Sequence, residues 1–153
     1  MNVLKNLTDE MLEKILPITQ LSQLKEGDIV FEENENADRF YMLKRGKLIL
    51  ETNVSDTIRI SLCSIKPGYS FGWSSVIENP SYYASAVSVE PTDILVIPAE
   101  KLLDLMNSDH AMGHMIMKGL AEILRSRLKK RTTQFLKVMS RHPDIQKFIG
   151  PSD

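Results

Sequence analysis

Between Pro98 and Pro143 the sequence holds no proline, and its apolar residues recur at three- and four-residue steps; ahead of Pro98 they alternate every second residue. Proline inside a helix removes a backbone hydrogen bond and clashes with the preceding turn, so only the proline-free stretch can carry a long helix. The switch divides the chain into a strand-rich body and a helical end. Charge changes at the same place. From residue 109 to 147 nine basic residues (Lys118, Arg125, Arg127, Lys129, Lys130, Arg131, Lys137, Arg141, Lys147) face only three acids, Asp109, Glu122 and Asp144. The whole chain of 153 residues nevertheless carries a formal charge of -1, which does not suit general affinity for nucleic acid.

The sequence predicts one domain over 1–153. A short helix is expected over 7–16: Thr8 is a good N-cap, Asp9 and Glu10 suit the first turn, and Pro17 ends it. Residues 18–97 hold short β-branched or aromatic runs, among them Ile29–Phe31, Phe40–Leu43, Leu48–Leu50, Ile58–Leu62, Tyr83–Val89 and Asp93–Ile97. Turn chemistry separates them at Glu26–Asp28, Glu35–Asp38, Arg45–Lys47, Asn53–Asp56, Pro67–Gly68 and Glu90–Asp93. Many short strands without an intervening helix exclude a parallel α/β sheet and predict a small β-roll of jelly-roll type. A helix over 99–106 and a longer one over 110–140 follow, then a tail over 141–153. The longer helix would run about 45 Å at 1.5 Å per residue. Its stripe of Met117, Leu120, Leu124, Leu128, Phe135 and Met139, interrupted by Arg131, exceeds what the roll can cover, with Ile116 and Ile123 widening it at the start. The simplest cover is a second copy, so a homodimer through Met117, Leu120, Leu124, Leu128 and Phe135 is expected.

Several chemistries find no support. Cys63 is the only cysteine, which excludes an internal disulfide and fits a reducing, cytoplasmic setting; it reads as a small buried hydrophobe. No apolar h-region follows Lys5, and no run of about 18 apolar residues could span a membrane. His110 and His114 share a helix face, but no third ligand follows and a helix start repels a cation, so no metal is expected. Met112, Met115 and Met117 read as adaptable packing. The charges of Arg125–Arg131 scatter around the helix as a solvated surface. There is no Gly-x-Ser-x-Gly elbow, no P-loop and no histidine in the strand region, so neither an enzyme nor a cofactor is expected.

Six segments together resemble the cyclic nucleotide-binding domain, the effector module of catabolite activator and Fnr-like regulators. They are Glu26–Phe31, Ala37–Leu43, Arg45–Leu48, Pro67–Gly72, Ala84–Val87 and Leu102–Asn107. The glycine turns need positive φ at Gly27 and Gly46. The resemblance spans about Leu7 to Met139. It implies a mainly β fold, a double-stranded β-helix with an N-terminal helix and a long dimerising C-terminal helix. It also implies a DNA-binding domain beyond that helix, for which residues 141–153 are too few.

In the family, backbone N–H groups after Phe-Gly cradle the cyclic phosphate, a glutamate follows the glycine, and an arginine lies about ten residues on. Here the resemblance places Trp73 at the glutamate and Tyr83, or Tyr82 with a slipped loop, at the arginine. No lysine or arginine occurs between Lys66 and Lys101. The candidate ligand residues are Phe71, Gly72, Trp73, Ser74, Ser75, Tyr82, Tyr83, Ala84 and Ser85, with Thr132 from the long helix. Their flat, weakly polar surfaces suit a small neutral or aromatic effector better than a phosphate. Three readings stay open: an unknown small molecule whose binding is relayed to the dimer or to a downstream protein partner, a cyclic nucleotide held unconventionally, and a ligand-free interaction module whose aromatics fill the pocket.

Overall fold

A computed structural model describes residues 3–55, 57–77 and 81–149. Two of the expectations above fall partly outside them: Asp56, the end of the 53–56 turn, and the last residues of the tail, 150–153. The chain divides into two compact units, Met1–Gly119 and Leu120–Asp153, where one domain was expected.

In the first unit a 3₁₀ turn over Val3–Asn6 leads into α1 (Asp9–Ile15), where the Thr8 hydroxyl accepts from the Met11 N–H. A second 3₁₀ turn over Leu16–Ile18 places Pro17 where its missing N–H costs nothing. Eight strands follow: β1 (Gln20–Leu24), β2 (Ile29–Phe31), β3 (Arg39–Arg45), β4 (Leu48–Ser55), β5 (Ile58–Ile65), β6 (Ser70–Phe71), β7 (Ser85–Ser88) and β8 (Thr92–Pro98). They form two antiparallel four-stranded sheets, ordered β1-β8-β3-β6 and β2-β7-β4-β5. Strands distant in sequence pair in both, the interleaving expected of a β-roll. Gly27 and Gly46 have φ of 87° and 90°, as their turns require.

The core between the sheets is built from inward residues at period two: Tyr41 and Leu43 of β3, Leu48 and Leu50 of β4, Ala86 of β7 and Ile94 of β8, joined by Phe31, Ile65, Phe71 and Tyr82. Four of these rings make one cluster. Phe31 stacks on Tyr82 with centroids 3.7 Å apart, and Tyr41 stacks on Phe71 at 5.0 Å.

After β8, α2 (Ala99–Ser108) and α3 (His110–Ser140) meet at Asp109. Its carboxylate accepts from the Met112 N–H, capping α3, and pairs with Lys14 of α1 at 2.8 Å. Gly119 of α3 passes so close to the chain's first turn that a Cβ there would lie 2.8 Å from the Val3 carbonyl oxygen. Val3 is itself buried, its N–H donating to the Ser70 hydroxyl of β6.

In the second unit, α3 continues to Ser140, and within the tail expected over 141–153 α4 spans Pro143–Ile149. Pro143 opens this helix instead of excluding one, because the first helical position needs no N–H. Met112, Ile116, Leu120 and Ile123 are buried, whereas Met117, Leu124, Leu128, Phe135, Leu136, Val138 and Met139 are exposed. Leu120, expected in the dimer stripe, is buried within the single chain. No helix among the described residues is long and apolar enough to cross a membrane.

Candidate functional site

The site forms where β6 ends. Phe71 is fully buried, and Gly72 then takes a left-handed conformation, φ 68°. A side chain is excluded there on two counts: the conformation is strained for any other residue, and a Cβ would stand 2.6 Å from the Tyr41 ring. This turn starts a 3₁₀ segment over Trp73–Val76, with the Ser75 hydroxyl donating to the Gly72 carbonyl at 2.8 Å.

The chain re-enters the site at Tyr82. Its N–H donates to the Glu35 carbonyl, and its carbonyl accepts from the Asn34 N–H. Its hydroxyl donates to the Arg39 carbonyl at 2.9 Å and lies 3.3 Å from the Arg39 N–H. Burial raises the Tyr82 phenol far above its ordinary value, and raises Tyr41 for the same reason. Both are neutral hydrogen-bonding groups. Tyr83, next in the chain, is 45% exposed, and its ring meets Trp73 at 5.6 Å, tilted by 39°.

Phe31, Leu50, Gly72, Trp73, Ser74, Tyr82, Tyr83 and Ala84 enclose a hollow of about 10 Å³, room for roughly one water molecule. Among the described residues no charged side chain lines it. The nearby carboxylate of Glu33 is engaged elsewhere. It accepts from the Thr52 hydroxyl at 2.7 Å and the Asn53 N–H at 3.0 Å, which hold it below the usual carboxylate range, the hydroxyl contributing most. Among the described residues, no group of three or more His, Cys, Asp or Glu could hold a metal ion.

Six of the ten candidate ligand residues thus line one hollow: Gly72, Trp73, Ser74, Tyr82, Tyr83 and Ala84. Phe71, Ser75 and Ser85 do not. Phe71 is committed to the core, Ser75 to the Gly72 carbonyl, and the Ser85 hydroxyl to the Glu33 N–H at 2.9 Å. Thr132 is exposed on α3 in the second unit. Sequence reasoning missed Phe31 and Leu50. Their alternation marks them as inward-facing, but only the pairing of β2 and β4 with β7, which sets both opposite Ala86, brings them to one place.

Residues 21–109, more than half of the chain, match the family described as the cyclic nucleotide-binding domain. The chain is 28% identical over 120 residues to the cyclic AMP receptor protein of Thermus thermophilus, covering 78% of this chain and 55% of that protein. It thus spans about half the length of that curated relative. Among solved structures, the Thermus thermophilus catabolite activator protein aligns with a TM-score of 0.74 at 25% identity, over 90% of this chain and 62% of that one. A cyclic nucleotide-binding domain from Methylobacillus flagellatus aligns with a TM-score of 0.77 at 18% identity, over 85% of this chain and 73% of that one, a likeness of fold. With the family's β-roll, its Phe-Gly turn opening a short helix, and this match together, the chain belongs to the cyclic nucleotide-binding domain family.

Proposed function

We propose that this chain is a non-enzymatic regulatory module, working in the cytoplasm, whose hollow takes a compact neutral effector in place of a cyclic nucleotide. What supports this reading is the uncharged lining among the described residues: eight of them, three being rings with one polar atom each, and no guanidinium or ammonium. A cyclic phosphate moved from water into such a lining gives up hydration without the bidentate cation that normally compensates it. The family resemblance puts Trp73 at the glutamate's position and Tyr83, or Tyr82, at the arginine's. The module acts as a dimer along α3 and relays its state to a downstream protein partner.

Trp73 is the only tryptophan in the chain, so its emission reports on the hollow alone. Titration of the wild type with cAMP and cGMP is expected to leave emission and melting temperature unchanged. A panel of small neutral aromatics is expected to contain one that shifts both saturably. Micromolar binding of cAMP would overturn the proposal. A second reading is favoured by the volume of about 10 Å³: the rings themselves fill the site and the module serves only as an interaction protein. Silence from the whole panel would select it.

A further inference from the structure

We infer that the side of α3 opposite its exposed apolar stripe, carried by Lys129, Lys130 and Lys137, is a docking surface for the phosphate backbone of duplex DNA.

The formal charge of -1 averages over two units of opposite sign. Leu120–Asp153 holds eight basic residues against three acids, whereas Met1–Gly119 holds eleven against seventeen. No acid occurs between Glu122 and Asp144, a stretch with seven lysines and arginines. Every residue from 128 to 140 is exposed. Position on the helix sorts these side chains. Nine residues make two and a half turns, so Ser126, Thr133 and Lys137 stand opposite Phe135, Leu124 and Leu128 respectively. With Lys129, Lys130 and Gln134 they line one shallow trough. The Thr133 hydroxyl donates back to the Lys129 carbonyl at 3.0 Å, and the charge of the trough comes from its three ammonium groups. The ion pairs among the described residues engage other groups. A dimer along the apolar stripe covers the far side of the helix and leaves the trough open.

The make-up of the trough selects its partner. It offers no apolar side chain for burial, so association there is electrostatic and favours the partner of densest charge. Duplex DNA carries one negative charge per about 1.7 Å of axis, so the roughly 12 Å of helix from Lys129 to Lys137 faces about seven of them. Single strands are held by stacking bases on aromatic rings, and the trough has no ring. A membrane takes up the apolar side of an amphipathic helix, which turns the opposite side to water. Lysines meet phosphates as point charges, so the contact fixes the duplex without reading its bases.

Fluorescence anisotropy of the full chain with short labelled duplexes tests this. Two duplexes of unrelated sequence are expected to bind equally, with Kd of roughly 1–100 μM, and log affinity is expected to fall against log salt with a slope of about -2.7 or steeper. Lys129→Ala/Lys130→Ala/Lys137→Ala should make that slope shallower by about 2.7 and weaken binding about tenfold or more at low salt. Lys25→Ala/Lys44→Ala/Lys47→Ala removes the same charge from exposed positions of the first unit and should leave both unchanged. Equal weakening by the two triple variants overturns the inference, as does a wild-type slope shallower than about -1. Tighter binding to the corresponding single strand, or binding to phosphatidylserine vesicles without binding to duplex, overturns it too. Should the first triple variant not melt cooperatively, Lys137→Ala decides alone: a slope change of about 0.9 supports the docking surface and an unchanged slope removes it.

Discussion

Tyr82 takes part in two systems at once, the buried ring cluster and the wall of the hollow, and its hydroxyl is what ties the returning chain to Arg39. Tyr82→Phe keeps the ring but leaves two backbone groups of Arg39 without that partner. We expect a loss of roughly 0.5–1.5 kcal/mol in chemical denaturation, the usual net worth of a hydrogen bond that is not fully buried. Burial also raises the Tyr41 and Tyr82 phenols above the ordinary value of 10.0. Because the neutral forms are favoured in the fold, this contribution is complete below pH 10.0 and is lost as pH rises beyond it. Denaturant midpoints should therefore fall between about pH 9 and 11, less steeply in Tyr82→Phe. A midpoint independent of pH would contradict that burial. The role of Tyr82 was only half legible in the sequence. Register beside Ala84–Val87 brought it into the candidate site, but the Arg39 carbonyl it meets is 43 residues away, which no local pattern encodes.

At the scale of elements, Asp109 closes α2, caps α3 and holds Lys14 of α1. The Lys14 ammonium, then the Met112 N–H, hold its carboxyl below the ordinary 3.8, and the same pair holds Lys14 above 10.5. The Asp109 contribution is present above pH 3.8 and is lost as pH falls below it; that of Lys14 is present below pH 10.5 and is lost above. Asp109→Ala should lower the melting temperature at neutral pH and make the acid limb of a stability–pH profile shallower; an unchanged acid limb would count against the pairing. The sequence announced this corner, since Asn107-Ser108-Asp109 breaks one helical pattern and caps the next. It announced α3 as well, because 31 residues without proline sustain one period. It did not announce α4, where Pro143 reads equally as a stop or a first turn. The Tyr83–Val89 run is likewise shorter in the fold, Ser85–Ser88, because Tyr83 and Ala84 turn to the hollow.

At the scale of the whole molecule, exposed apolar residues of α3 follow a heptad. Met117, Leu124 and Val138 fall at one position, Leu128 and Phe135 at the other, and Arg131 takes the remaining core place. Leu128 and Phe135 are 69% and 62% exposed in the single chain, unusual for large side chains unless a partner covers them. The wild type should sediment at twice 17.4 kDa. Leu128→Glu with Phe135→Glu should weaken association by roughly 30-fold or more, the effect of losing central interface anchors. A wild type that sediments at 17.4 kDa removes the dimer.

The register of β4 on β5 sets Cys63 opposite Leu50, on the strand next to the one that walls the hollow. The chain therefore contains, at unique positions, one thiol and one indole near the same cavity. A thionitrobenzoate group on Cys63 would serve as an energy-transfer acceptor for Trp73, turning any separation of the rings into a change in donor lifetime without a single engineered substitution.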